Sequence, residues 1–133
     1  ILASVWLTGY FKTQLRQFYE YWTGEARPFE IADQYQLAGG RTLHVELRNG
    51  ADEPLFLQGV EVNGTNGQAF FELTGGRVLF APNESRLLLI PMNRSCGMNE
   101  TYRYRLRITY ARAENVLEKE TQEGKFPVYG LCD

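Results

Sequence analysis

Residues 101–112 alternate more regularly than any other stretch of the chain. Tyrosine, leucine or isoleucine recurs at every second position, and arginine or threonine fills most of the positions between. Successive side chains of a β-strand point to opposite faces, so this pattern predicts a strand with one buried and one solvated face. Such a half-buried strand is typical of an antiparallel sheet packed on a second layer. The chain is therefore expected to contain a two-layer β structure.

Shorter apolar runs, separated by turn signals rich in glycine, proline and asparagine, extend this expectation. Strands are predicted over 29–37, 41–48, 55–62, 69–73, 77–80, 86–91, 101–112 and 126–130, with a return strand that starts near Val116. Short strands at this spacing predict a single antiparallel β-sandwich of the Ig-like class. The run 86–91 is apolar throughout, and we expect it to be buried on both faces or central in its sheet.

The strand that returns after residues 113–115 has a testable register. If Arg107 lies opposite Glu120, then Tyr110 lies opposite Leu117, so that charges meet charges and apolar side chains meet each other. Paired residue numbers then add up to 227, an odd value, and an even value contradicts this register.

The first 22 residues follow a different period. One helical stripe runs from Leu7 to Trp22 at spacings of three and four, and residues 1–11 are apolar nearly all round. Together they predict an assembly helix whose contact residues are Ile1, Leu2, Val5, Trp6, Leu7, Phe11, Leu15, Phe18 and Trp22. The alternative is that the stripe packs on the sheet of its own domain. Gly24 suits the C-cap of this helix, and Pro28 ends it.

The predicted fold class is thus α+β, an N-terminal apolar α-helix followed by the antiparallel β-sandwich. We expect two parts, an assembly helix over residues 1–23 and a head domain over residues 24–133. A bilayer-spanning helix needs about 20 apolar residues, of which residues 1–11 supply about half. Because the chain begins at Ile1, we expect processing upstream of it.

Four N-glycosylation sequons begin at Asn63, Asn83, Asn93 and Asn99. Average composition gives about one such triplet per two hundred residues, so four within 71 residues are an excess. The alternative is that these residues only mark turns. The two cysteines, Cys96 and Cys132, form an even pair that fits one disulfide, although two buried free thiols would also fit. Both signals predict an extracellular protein that carries N-glycans.

Catalytic chemistry has little support in the residues. His44 is the only histidine and lies on the polar face of a predicted strand, so no histidine-rich metal site is expected. Ser85 and Ser95 belong to sequons, and the spacing of the cysteines fits neither a redox motif nor a zinc site. We expect a protein that is not an enzyme and that has no cofactor or metal. A secreted hydrolase that depends on His44 is the weakest alternative.

The arginines of residues 101–112 raise the question of nucleic acid. The net charge is −2, and the interleaved tyrosines point to the face opposite the arginines, where they cannot stack bases beside them. We therefore expect no nucleic-acid partner, and we interpret the arginines as ion-paired with the neighbouring strand.

Several segments resemble archaeal type IV pilin-like proteins, including those with class III signal peptides. They are VWLTGYF near the start, then LHVELRN, LQGVEVNGT and YRLRITY, and the ending GKFPVYGLC. The resemblance implies a helical tail in a filament core and a small, often glycosylated β-sandwich that faces outward. It further implies a structural subunit that binds copies of itself in a helical homopolymer, with membrane insertion before assembly, and that serves adhesion or surface attachment. The alternative is a membrane-anchored extracellular β-sandwich module that binds a ligand and does not polymerise.

Overall fold

The computed structural model of the protein describes residues 13, 15–64, 67–72 and 77–132. Residues 15–20 are α-helical and continue into a π-helical turn, Tyr21–Glu25, which we together call helix α1. Nine strands follow: β1 (Phe29–Gln36), β2 (Thr42–Asn49), β3 (Leu55–Gly64), β4 (Gly67–Glu72), β5 (Val78–Phe80), β6 (Ser85–Pro91), β7 (Thr101–Arg112), β8 (Asn115–Glu123) and β9 (Val128–Leu131). All of the strands expected from the sequence are present, with shifts of one to two residues at most ends.

The strands form two antiparallel sheets. The smaller sheet has the order β1-β2-β6, and the larger has the order β4-β3-β7-β8, with β5 also paired to β3 and β9 to β7. The described chain is therefore mostly β, and its helix is 11 residues long. The expected α+β class with a long apolar helix before the sandwich is wrong, because the helical part of the described chain is a short element of a two-sheet β fold.

The core lies between the two sheets. Alternate residues of β2 and β7 point inward, and among them are Val45, Leu47, Tyr104 and Ile108, which are almost fully buried. These side chains belong to one hydrophobic cluster that spans both sheets. Burial of apolar area at this scale is the main force that holds a two-layer fold together.

Helix α1 packs against this same core through its last turns. Phe18 and Trp22 are almost fully buried, and the Trp22 indole Nε1 donates a hydrogen bond of 3.0 Å to the carbonyl oxygen of Phe126. The Tyr21 hydroxyl accepts a hydrogen bond of 2.9 Å from the Lys125 backbone N–H. The expected C-cap at Gly24 is wrong, because Gly24 lies within the π turn, the helix ends at Glu25 and Ala26 is its C-cap.

The register expected between β7 and β8 is also wrong. Arg107 pairs with Glu123 and Tyr110 pairs with Glu120, so the paired numbers add up to an even value. The odd register holds only beside the turn, where Arg112 pairs with Asn115, and an irregularity between Ala111 and Arg112 then shifts it. The residues of β8 that this irregularity leaves out of the pairing include Leu117, which is almost fully exposed. Charge pairing does not decide this register, because Arg107 forms an ion pair with Glu123 in place of the expected Glu120.

Strand β6 contradicts a further expectation. It is an edge strand, neither central nor buried on both faces, because only β2 pairs with it in the described chain. Leu88 and Ile90 face the core, whereas Leu87 and Leu89 point outward and are 54% and 52% exposed. An all-apolar run does not by itself report two buried faces.

Strand β1 contains a register shift that reverses its faces. The pairing with β2 shifts between Ile31 and Asp33, so that Gln34 points into the core while Tyr35 is exposed. A β-bulge adds one residue to one strand, and each later side chain then changes face. The buried glutamine amide is satisfied across the sandwich: its Nε2 donates to the Tyr129 carbonyl oxygen at 2.9 Å, and its Oε1 accepts from the Tyr102 hydroxyl.

Candidate functional site

The disulfide expected from the sequence is confirmed. Cys96 and Cys132 are bonded, with a Cα–Cα distance of 6.2 Å, and both are fully buried. The bond ties the loop before β7 to the end of β9, and two backbone hydrogen bonds lie beside it, from Asn99 N–H to the Cys132 carbonyl and from Cys132 N–H to the Glu100 carbonyl. In the chain-entropy description, a loop of this length contributes about 3–4 kcal/mol to stability.

All four sequon asparagines are exposed. Asn63 lies near the end of β3, and Asn83 and Asn99 adopt positive φ angles of 64° and 61° in turns. Left-handed φ is tolerated best by glycine and asparagine, so the asparagines also have a conformational reason to occupy these two turns. Each site is accessible to a modifying enzyme, and glycosylation itself stays a prediction.

The two faces of β7 are as predicted. Tyr102, Tyr104 and Leu106 are buried, and Arg103 and Arg105 are exposed on the outer face of the larger sheet. The tyrosines cannot stack a ligand beside the arginines, because the sheet itself separates them. The pKa of the Tyr104 phenol is raised to about 12, first by burial and second by nearby Glu100, while the hydrogen bond to Gln36 lowers it.

The interpretation of the arginines as ion-paired is right for only part of the row. Arg107 bonds Glu123 at 2.6 Å and lies 3.9 Å from Glu61. Arg103 and Arg105 form no ion pair with any residue that the structure describes. Their direct partners across the sheet are uncharged, since Arg105 pairs with Asn63 and Arg103 with Tyr129. Glu61 and Glu123, which bond or approach Arg107, line one cavity together with Arg105.

A shallow groove runs beside these two arginines, with Asn63 and Gly64 as its other lining residues. Gly64 has a packing reason to lack a side chain, because a Cβ there would collide with the Arg103 carbonyl oxygen. The groove therefore presents two arginine side chains and one amide, which suits an anionic group.

His44 stacks on Tyr35 with ring centroids 4.3 Å apart, and its Nδ1 is buried with no hydrogen-bond partner in the described chain. Its neighbours in the paired strands are Tyr35, whose ring is stacked on the imidazole, and Leu89, which is apolar. Neither accepts a hydrogen bond from Nδ1, the contact that would orient a catalytic histidine. Ser85 and Ser95 are exposed. Among the described residues, no group of three or more histidine, cysteine, aspartate or glutamate side chains is placed to hold a metal ion.

The predicted assembly residues divide into two groups. Phe18 and Trp22 lie in the core of the sandwich, and Leu15 is half-buried. For Phe18 and Trp22 the alternative is therefore right, since both pack on the chain's own domain. The remaining members lie outside the described residues: Ile1, Leu2, Val5, Trp6, Leu7 and Phe11. Within the described chain, no helix is both long and apolar enough to cross a membrane.

Sequence reasoning missed two sets of residues. The apolar run predicts buried side chains for Leu87 and Leu89, which are exposed, and no sequence pattern indicates the buried amides of Gln34 and Gln122. The signal for the leucines was Pro91 at the end of their strand, since proline in a strand favours an edge. No local signal marks the bulge that turns Gln34 inward.

The sequence matches no known family model and no curated protein.

Proposed function

We propose that the chain is the outward-facing part of a pilin-like structural subunit of an extracellular filament that serves adhesion or surface attachment. The observation that carries the proposal is the seating of helix α1. Phe18 and Trp22 insert into the core, and Trp22 is also hydrogen-bonded to Phe126. The sandwich is thus packed directly onto helix α1, as a subunit that transmits force through this helix requires.

Two further features support this proposal. The disulfide is buried in the core, which is typical of proteins from oxidising compartments. The four sequon asparagines are exposed, and glycans attached to them would form an outer shell. Residues 1–11, which are apolar in sequence, supply the surface through which copies associate.

Electron microscopy of the protein isolated from its native source tests the proposal. We expect fibres from the natural chain and none from Phe11→Asp, which introduces a charge into the associating segment. Leu117→Asp is the matched control, because it places the same charge on an exposed leucine of the head. A truncated variant should begin at Thr13, since one that begins at Glu25 would also remove Phe18 and Trp22 from the core. Discrete particles from the natural chain would contradict the filament.

Arg103 and Arg105 favour a second candidate, an extracellular module that binds an anionic ligand and does not polymerise. Both arginines line the groove, and neither forms an ion pair with a described residue. Retention on immobilised heparin tests it: Arg103→Ala/Arg105→Ala should elute at lower salt than the natural chain. Arg41→Ala/Arg94→Ala removes the same charge from exposed arginines elsewhere and should not shift elution as far. Equal shifts in the two variants would contradict a specific site.

A further inference from the structure

Strand β6 lies at an edge of the smaller sheet, where β2 is its only ladder partner among the described strands. The Asn49 N–H donates to the Glu84 carbonyl at 3.0 Å and the Met92 N–H donates to the Arg41 carbonyl at 2.6 Å. Hydrogen-bonded pairs alternate along an antiparallel ladder, so the even-numbered residues of β6 bond β2. The backbone groups of Ser85, Leu87, Leu89 and Pro91 therefore point away from β2. Strand β4 of the larger sheet passes near this edge, but among the described strands only β2 forms a ladder with β6.

The side chains at this edge are apolar where edge strands are usually protected. Leu87 and Leu89 expose more than half of their surface on the outer face, and Tyr35 is exposed on β1 of the same sheet. Natural edge strands are normally blunted by lysines, central prolines or bulges. In β6 the proline stands at the last position and the only charge is Arg86, near the first. An open edge with exposed leucines is a surface for strand addition.

The edge of β6 is complementary to itself. When two copies run antiparallel with Leu88 on the two-fold axis, Leu87 of one lies opposite Leu89 of the other, and Ser85 lies opposite Pro91. Each outward N–H, those of Ser85, Leu87 and Leu89, then has a carbonyl acceptor. The missing N–H of Pro91 removes one bond at each of the two Ser85–Pro91 pairs. Arg86 lies opposite Ile90, so no like charges meet.

We propose that β6 pairs with β6 of a second copy of this chain across a two-fold axis at Leu88. The two three-stranded sheets join into one of six strands, and four leucines form a contiguous apolar patch across the seam. The symmetry follows from the sequence of the strand, because a self-complementary edge makes an isologous contact that closes at two copies. The inference goes beyond the proposed function, and it stands whether or not residues 1–11 drive filament formation.

Cysteine cross-linking tests the register. Residues that exchange hydrogen bonds across an antiparallel pair have Cα atoms about 5.5 Å apart, within the range of a disulfide. Under mild oxidation, a mixture of Leu87→Cys and Leu89→Cys chains, one of them mass-tagged, should give mixed dimers in clear excess over either homodimer. Homodimers of Leu87→Cys in equal amount would overturn this register. Equal cross-linking of Leu117→Cys, an exposed leucine on the other sheet, would overturn a specific contact altogether.

Analytical ultracentrifugation tests the affinity. It is performed on the full chain carrying Phe11→Asp, so that the result does not depend on the filament. Addition of Leu87→Lys/Leu89→Lys should raise the dimer dissociation constant at least about tenfold, because four lysines then meet at the seam. The matched control Leu79→Lys/Leu117→Lys changes two other exposed leucines and should dimerise unchanged. A chain that is monomeric at every concentration, or an equal effect of both double variants, would overturn the proposal.

Discussion

The two edge strands of the smaller sheet, β1 and β6, differ in what binds their outward-facing backbone groups. At the β1 edge, the Gln122 side chain accepts a hydrogen bond from Phe29 N–H and donates one to the Phe29 carbonyl, both at 2.9 Å. Farther along, the Asp33 carboxylate accepts a hydrogen bond from the Gln34 N–H at 2.9 Å. Helix α1 packs beside the same strand. At the β6 edge, no described side chain occupies the corresponding position, and the leucines point into solvent.

The difference shows how one small sheet can serve two purposes. At the β1 edge, buried side-chain amides bind the backbone groups that face away from β2. Loss of such a hydrogen bond leaves a buried polar group without a partner and lowers the free energy of unfolding. The β1 edge therefore contributes to the stability of the domain. The β6 edge carries half-exposed side chains whose removal costs the folded monomer little. It is free to contribute to association instead.

The largest effect is expected at Trp22. Trp22→Ala removes a fully buried indole and its hydrogen bond to Phe126, and should lower the free energy of unfolding by about 3–5 kcal/mol. Tyr19→Ala on the same helix is the control, because Tyr19 is 39% exposed. Denaturant unfolding of both variants measures the difference. A similar small loss in both would mean that the helix does not close the β1 side of the sandwich.

Gln122→Ala should cost about 2–4 kcal/mol, because it leaves both backbone groups of Phe29 buried without partners. Thr121→Ala is the matched control on the neighbouring, exposed position of β8. Chemical denaturation followed by fluorescence compares them. If Gln122→Ala is as stable as Thr121→Ala, the Gln122 side chain does not stabilise the β1 edge, and this part of the account is wrong.

Tyr104→Phe tests the polar bridge between the two sheets near β1. The Tyr104 hydroxyl donates to Gln36 Oε1 at 2.8 Å, so the variant should lose about 1–2 kcal/mol at neutral pH. The pKa of Tyr104 is raised to about 12, chiefly by burial, whereas an unfolded tyrosine titrates near 10.

The sign of the pH dependence follows from these values. Between pH 10 and 12 the unfolded chain has released the Tyr104 proton and the folded chain has kept it, so stability is complete below pH 10 and falls as the pH rises. Tyr104→Phe has no phenol at this position, so it does not lose stability through this titration. The stability difference between the two proteins should narrow from pH 10 to 12, and a constant difference would contradict the burial of the phenol.

The smallest effect on stability is expected at the open edge. Leu87→Thr/Leu89→Thr keeps strand propensity, and because both leucines are half-exposed it should change the unfolding free energy of the monomer by less than about 1 kcal/mol. Thermal unfolding at low protein concentration checks this. A loss comparable to that of Gln122→Ala would mean that β6 is covered within its own domain.

Much of this fold was predictable from local pattern. The alternation along residues 101–112 and the turn signals placed nearly every strand, because side-chain period and turn chemistry are local properties. The disulfide was predictable because only two cysteines are present. Burial of the faces of β7 followed from the same alternation.

What could not be predicted depends on register. The bulge in β1 buries Gln34 and exposes Tyr35. No residue near Ile31 predicts a bulge at this position. The shift between β7 and β8 moved the partner of Arg107 from Glu120 to Glu123, because either glutamate satisfies the charge. Contacts between distant strands decide the register. The sequence alone therefore does not show that β6 pairs only with β2 in the described chain, or that Arg105 has no ion pair with a described residue.

Hydrogen exchange of individual backbone amides tests the contrast between the two edges most directly. In dilute protein, the amides of Leu87 and Leu89 should exchange fast, while those of Leu88 and Phe29 exchange slowly because β2 and Gln122 hold them. At high concentration, Leu87 and Leu89 should become protected as the second copy pairs with them. Protection of Leu87 and Leu89 already in dilute protein would contradict an open edge, and fast exchange at every concentration would contradict its pairing with another copy.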